Sequence, residues 1–191
     1  MSEIVIPTVY FEKPGKENTD RTLAAAQERA DQLGLGTVLV ASTTGATGAK
    51  AVEVFQGQQV VVVSHSTGFR EPNVQELMPE YRATIEAGGG KILTCQHAFG
   101  GVNRAVRKKM GTYLTDEIIA YTLRAFGQGT KVCLEIALMA ADAGLVPVGE
   151  PCLAVGGTGR GADTALVLIP ANAQTFFDLE VMEILAKPRL G

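Results

Sequence analysis

The chain has no tryptophan, two histidines and three cysteines in 191 residues, and its net charge is only −3. Each scarcity excludes something. Cys95, Cys133 and Cys152 are far apart and set in apolar sequence, so they form neither a disulfide framework nor a zinc-ligand pattern. They read as reduced packing residues. The near balance of charge gives no electrostatic case for nucleic acid as a partner. No apolar run approaches the roughly 20 residues a membrane helix needs, and the start Met1-Ser2-Glu3-Ile4 is no signal peptide. The expectation is a cytoplasmic protein without membrane contact. What is abundant is apolar sequence, at 46%, and glycine, at 22 residues. That mixture fits a single α/β domain over 1–191 with many tight loops.

One stretch organises the rest. Thr37–Ala41 is an apolar run that reads as a buried strand, and Lys50–Phe55 reads as the first turns of a helix. Between them lie Ser42, Thr43, Thr44, Gly45, Ala46, Thr47 and Gly48. A strand, a hydroxyl-rich glycine loop and a helix start make an anion site: free N–H groups and the helix dipole both favour negative charge. Gly45 and Gly48 are expected to take positive φ and let a ligand approach the backbone. Ala49 follows Gly48, so the Gly-Lys-Ser/Thr ending of a P-loop is absent. An ordinary helix cap with spare hydroxyls is the alternative.

Around this stretch the chain alternates strand and helix. Ile4–Ile6 reads as a strand or an arm. Asn18 or Thr19 caps a helix with a stripe of Leu23, Ala26, Ala30 and Leu33, stopped by Gly34. Residues 60–64 and 91–95 read as parallel strands, with a helix from about Pro79 between them. Thr115 and Thr130 are expected to cap two further helices. Residues 151–155 form a fourth parallel strand. Only a glycine loop joins it to 164–169, so that fifth strand is expected antiparallel, at an edge. Asp178–Ala186 reads as a last amphipathic helix. The apolar content, Ile4–Ile6 and that helix predict a homo-oligomer.

Four loops compete for a ligand. Gly156, Gly157, Thr158, Gly159, Arg160 and Gly161 offer unshielded amides and a fixed cation suited to phosphate; a mobile hairpin is the alternative. His65 with Thr67, Gly68 and Phe69 ends one strand, and His97 with Phe99 and Gly100 ends the next. Strand carboxyl ends are where open α/β sheets bind ligands. The histidines could bond a ligand or simply be satisfied polar residues, and neither has metal-ligand spacing. The phenylalanines could stack on a ring or anchor their loops. Arg104–Lys109 reads as a solvated helix face, and Glu135 as a partly buried carboxylate in an apolar helix.

Asn18-Thr19 opening an Ala-rich helix, the strand, and then Ser42-Thr43-Thr44-Gly45-Ala46-Thr47 resemble the C-terminal domain of pyruvate kinase. In that family the equivalent loop holds a phosphate of a sugar bisphosphate activator, and the loop matching Gly156–Asp163 is the effector loop. The resemblance runs from about Asn18 to Ile169. The catalytic barrel has no counterpart here, and the His65–Asn73 and His97–Arg104 loops are additions. Those departures resemble stand-alone members of the family, some of which hold flavin mononucleotide (FMN). The resemblance implies a three-layer α/β/α sandwich, here with a mixed five-stranded sheet whose last strand is antiparallel. It implies FMN, a phosphorylated small molecule, gripped at 42–48 and covered by 156–163, with His65, Phe69, His97 and Phe99 near the ring. A flavin-dependent oxidoreductase is one expectation. A non-catalytic sensor of a sugar phosphate is the other. No pyruvate kinase activity is expected.

Overall fold

A computed structural model describes residues 3–189. The strands are β1 (Val9–Phe11), β2 (Thr37–Ala41), β3 (Gln59–Ser64), β4 (Lys91–Thr94), β5 (Cys152–Gly156), β6 (Thr164–Ile169) and β7 (Glu180–Pro188). The helices are α1 (Thr19–Leu33), α2 (Ala46–Val54), α3 (Pro79–Ala87), α4 (Val102–Met110), α5 (Thr115–Leu123) and α6 (Gln128–Asp142). All seven strands share one sheet, in the order β1-β7-β6-β5-β2-β3-β4. The expected count of five is therefore too low.

The four expected parallel strands are parallel, and β6 runs antiparallel to β5. But β6 is not an edge. The segment expected to be the last helix is β7, paired antiparallel to β6, with β1 parallel on its far side. A nine-residue amphipathic stretch satisfies either period. β6 settles the matter: it is buried from Thr164 to Leu168, so its second row of backbone groups needs partners, and a strand supplies them. Arg29 of α1 then clamps β7 through Glu183, at 2.6 Å. Ile4–Ile6 forms no regular element, and Ile4 and Val5 are 84% and 85% exposed.

Side-chain alternation along the strands divides the interior. Val38 and Val40 point to a core shared with α1, α2 and α3, whereas Leu39 points to one built on α6. Helices thus cover both faces, giving three layers. Leu23, Ala26 and Ala30 form the buried stripe of α1, but Leu33 is exposed. Several caps differ from expectation. Asn18 occupies the N-cap position without capping, since its amide donates to Lys13 O. Leu114, not Thr115, precedes α5, and Thr130 lies inside α6, donating to Phe126 O.

The organising loop is also shorter than expected, because α2 starts at Ala46, so Thr47 and Gly48 are helical. Gly48 does not have positive φ. Its role is packing: a β-carbon there would lie 2.7 Å from Val62 and 3.0 Å from Ile85. Gly48→Ala should therefore destabilise the domain by about 1–3 kcal/mol through overpacking. Urea denaturation checks this, and an unchanged midpoint would show that α2 does not need its close approach to β3.

Candidate functional site

The strand order changes direction between β2 and β5, and a cavity of about 780 Å³ opens there, at the carboxyl ends of β2 and β3. This is the crevice that open α/β sheets use for ligands. One wall is the turn into α2, where Ser42, Thr43, Thr44, Ala46 and Thr47 line the space. Gly45 shapes this wall from behind. Its φ is 98°, and a β-carbon would lie 2.5 Å from Tyr81 and 2.8 Å from Leu77. Only glycine meets both demands.

The hydroxyls are not equivalent. Ser42 Oγ accepts the Gly48 N–H at 3.2 Å, so it braces the turn. Thr43 Oγ1 lies 3.3 Å from His65 Nε2. The hydroxyls of Thr44 and Thr47 and the first-turn amides of Ala46 and Thr47 have no acceptor or donor among the described residues, and they border the cavity. Lys16, Lys50 and Arg160 add cations at its rim. Lys50 is held by Asp20 at 2.5 Å.

The opposite wall is the glycine loop, of which Gly157, Gly159, Arg160 and Gly161 line the cavity. Gly156 belongs to β5 and packs on α6, and Thr158 points its amide at Asp163. Asp163 is fully buried. Its Oδ2 accepts N–H groups from Gly15 and Thr158 at 3.2 and 3.1 Å, and its Oδ1 accepts the Thr164 hydroxyl at 2.9 Å. Gly161 lies so close to Lys16 Cα that a β-carbon would be 2.5 Å away. The loop is thus docked on the turn before α1 at Gly161 and Asp163.

His65 and His97 both line the cavity, with ring centroids 5.2 Å apart. His65 Nδ1 meets Glu76 at 2.8 Å, and Arg70 holds the same carboxylate at 2.9 Å. Phe69 is not a cavity residue. It backs the histidines, 4.1 Å from His65 and 4.9 Å from His97, with the Arg104 guanidinium 4.7 Å from its ring. Phe99 is buried against Phe176, so it is a loop anchor and core residue. Thr67, Gly68 and Gly100 lie outside the cavity lining. Thr67 accepts from Gln75, and Gly68, at φ 81°, forms a turn closed on Val74 O.

The floor is the wall that the sequence did not reveal. One face of α6 supplies Gln128, Val132, Glu135, Ile136 and Met139, at i, i+4, i+7, i+8 and i+11. Such a stripe looks like any buried helix face. Glu135 within it was the one available signal. Its Oε1 accepts the Phe99 N–H at 3.0 Å and its Oε2 pairs with Lys131, one turn earlier. His97 Nδ1 stands 3.9 Å from the same Oε2, and His97 Nε2 is buried without a partner. No group of three or more His, Cys, Asp or Glu suited to a metal occurs among the described residues, and no described helix is long and apolar enough to cross a membrane.

Residues 20–168 match the family model of the pyruvate kinase alpha/beta domain, and the chain belongs to that family. Among solved structures it is similar to a pyruvate kinase from Cryptosporidium parvum, at 12% identity and a TM-score of 0.42. That match covers 80% of this chain and 22% of the other. A second, the Cryptosporidium parvum pyruvate kinase in complex with ADP, gives 14% identity and a TM-score of 0.40 over 78% of this chain and 23% of the other. A mutant of O-ureido-L-serine synthase with O-ureido-L-serine bound gives 21% identity and a TM-score of 0.31, over 68% of this chain and 48% of the other. The chain therefore spans less than a quarter of the pyruvate kinases it matches.

Burial lowers the His97 pKa to about 4; His65, Lys131 and Arg104 reinforce this, and Glu135 opposes it. The folded value lies below the roughly 6.5 of an unfolded histidine. The unfolded chain therefore binds the proton first as pH falls, and stability declines between about 6.5 and 4. With the side chain only 12% exposed, this amounts to about 2–3 kcal/mol by pH 4.5. His97→Gln should remove that part of the decline. Equal losses between pH 7 and 4.5 in urea titrations of both proteins would show that His97 is not held neutral.

Proposed function

We propose that this cavity binds a phosphorylated small molecule and that FMN is that ligand. The observation that carries the reading is the α2 turn: unpartnered amides of Ala46 and Thr47, free hydroxyls of Thr44 and Thr47, and the rim cations Lys16, Lys50 and Arg160, all on one cavity. A dianion is stabilised there by dipole, hydrogen bonds and charge together. The volume lies within the range of small-molecule sites. The Ser42–Gly48 turn would hold the phosphate, and Val132, Ile136 and Met139 would meet an apolar ring. Bound flavin would supply redox chemistry; the protein's part is to bind, orient and shield it.

The second reading is a sensor of a sugar phosphate, without catalysis. One observation favours it. The two phenylalanines expected beside a flavin ring do not line the cavity, so its aromatic surface is limited to Tyr81 and the histidines. A hydroxyl-rich site with few ring faces suits a sugar. Absorbance of the purified protein in the flavin bands separates the readings, and bleaching by a reduced nicotinamide cofactor would favour an enzyme.

Self-association belongs to the same proposal. Ile4 and Val5 are exposed, and so are Val102, Met110, Ile118 and Phe126, apolar side chains that a second copy of the chain would cover. Light scattering should give a mass above that of one chain at high micromolar concentration; a monomer mass overturns this part.

Thr44→Glu tests the phosphate end. The carboxylate stands where the dianion would sit and blocks donors. Losing two charge-assisted hydrogen bonds, each about 1.5–3 kcal/mol, weakens FMN binding by about two to four orders of magnitude. Riboflavin, which lacks the phosphate, should bind both proteins alike. If the folded variant holds FMN within about threefold of wild type, the turn is only a helix cap.

A further inference from the structure

Glu135 is an anomaly on its helix. The cavity face of α6 is otherwise apolar apart from Gln128, yet it carries a carboxylate only 5% exposed, tied to a lysine only 4% exposed. Buried ion pairs seldom add stability, and apolar residues of similar volume usually serve as well or better. The stability of α6 therefore does not explain the pair.

The two charges are not placed alike. Lys131 does not line the cavity, and its ammonium turns back to Glu135 and to the Phe99 ring, 5.6 Å away. Glu135 does line it. A ligand on this floor meets Glu135 and not Lys131. Burial lowers the Lys131 pKa, and the Glu135 carboxylate opposes this in part.

A carboxylate has about four lone-pair positions. Among the described residues, Glu135 fills one on Oε1 with the Phe99 amide and one on Oε2 with Lys131. His97 Nδ1, at 3.9 Å, is beyond bonding distance. Acceptor capacity remains, and the cavity is where a donor would come from. His97 adds no competing positive charge, because burial keeps it neutral. The cavity is thus polarised. Donors and cations stand at the α2 turn, and an acceptor stands on the α6 floor.

We infer that Glu135 is the specificity group of this cavity: its carboxylate accepts a hydrogen bond from an N–H or O–H on the part of the ligand remote from the phosphate. The site takes phosphorylated ligands that carry such a donor and rejects those that carry only acceptors or a methyl group there. The inference rests on the phosphorylated-ligand reading above. The imide N–H of a flavin and the hydroxyl of a sugar share the required chemistry.

Fluorescence titration with FMN and with its N3-methyl derivative, which lacks the imide N–H, tests this. Wild type should bind the methylated ligand about 10–100-fold more weakly, the fold-change that one charge-assisted hydrogen bond represents. Glu135→Gln keeps the shape and should shrink that ratio. Should it fold poorly, Lys131→Met combined with Glu135→Leu removes both buried charges and keeps the volume. In that protein the ratio should fall to within about threefold, while inorganic phosphate still competes as it does in wild type. A folded double variant that keeps the full ratio overturns the role of Glu135, and so does a wild type that binds both ligands equally. If wild type binds no flavin, the flavin reading falls separately. Glucose 6-phosphate then replaces FMN as the probe. Weaker binding by the double variant supports the inference; equal affinity, or no binding by wild type, overturns it.

Discussion

The buried carboxylate of Asp163 is what the rest of the site depends on. Oδ2 takes the Gly15 and Thr158 amides and Oδ1 takes the Thr164 hydroxyl, so segments distant in sequence meet at one side chain. Each is a hydrogen bond to a carboxylate, the class worth about 1.5–3 kcal/mol. The first turn of α6 approaches the same group, since a β-carbon on Gly129 would come within 3.0 Å of Oδ1. A helix N-terminus beside a carboxylate is a favourable pairing. Removing the side chain would leave three donors unpaired and free the glycine loop from the turn before α1. That turn carries Lys16, and the loop carries Arg160. Two of the three rim cations, Lys16 and Arg160, are therefore placed by how this one buried carboxylate is satisfied.

The sheet then fixes where that rim faces. Because β5 joins β2 on the side away from β3, the chain leaves the ends of β2 and β5 in opposite directions along the sheet, away from the seam between them. The α2 turn closes the seam from one face and α6 from the other, since Val40 and Leu39 belong to opposite cores. The ligand space is shaped by two helices that do not touch the same side of the sheet. One presents its N-terminus and the other its flank, and this is why the cavity has an electropositive end and an apolar floor.

Much of this was legible in the sequence, because local chemistry dictated it. The β-branched and apolar runs of β2, β3 and β5 are buried strands, and the hydroxyl-glycine turn between β2 and a helix falls on the cavity. The glycine loop and both histidines also fall on the cavity. The rest failed where local patterns are degenerate. Glu180–Pro188 supports a helix or a strand, and only the open edge of β6 decides it. Phe69 and Phe99 sit in similar polar loops, and nothing local says that one backs the histidines while the other enters the core. Gly45 and Gly48 look alike, yet one answers to backbone conformation and the other to the distance between α2 and β3. The α6 floor was hidden for the opposite reason: its residues are ordinary core residues in every respect except where the sheet places them.

Glu135 is the exception on that floor. A helix that had only to cover a sheet would do so with Leu, Ile and Ala, as α6 does at Leu134, Ile136 and Ala137. A carboxylate on a helix flank can take its counter-charge from the same helix, and the i−4 position is one that the helix offers. Lys131 at that position neutralises Glu135 without entering the cavity, and the Phe99 amide holds the second oxygen in place. The loop that carries Phe99 also carries His97, so fixing the carboxylate fixes the imidazole beside it. The aromatic anchor, the buried ion pair and the histidine thus form one unit, and its outcome is an oriented acceptor facing the same space as the donors of α2. Packing alone would not produce that opposition; a ligand with a negative end and a hydrogen-bond donor at the other would make use of both.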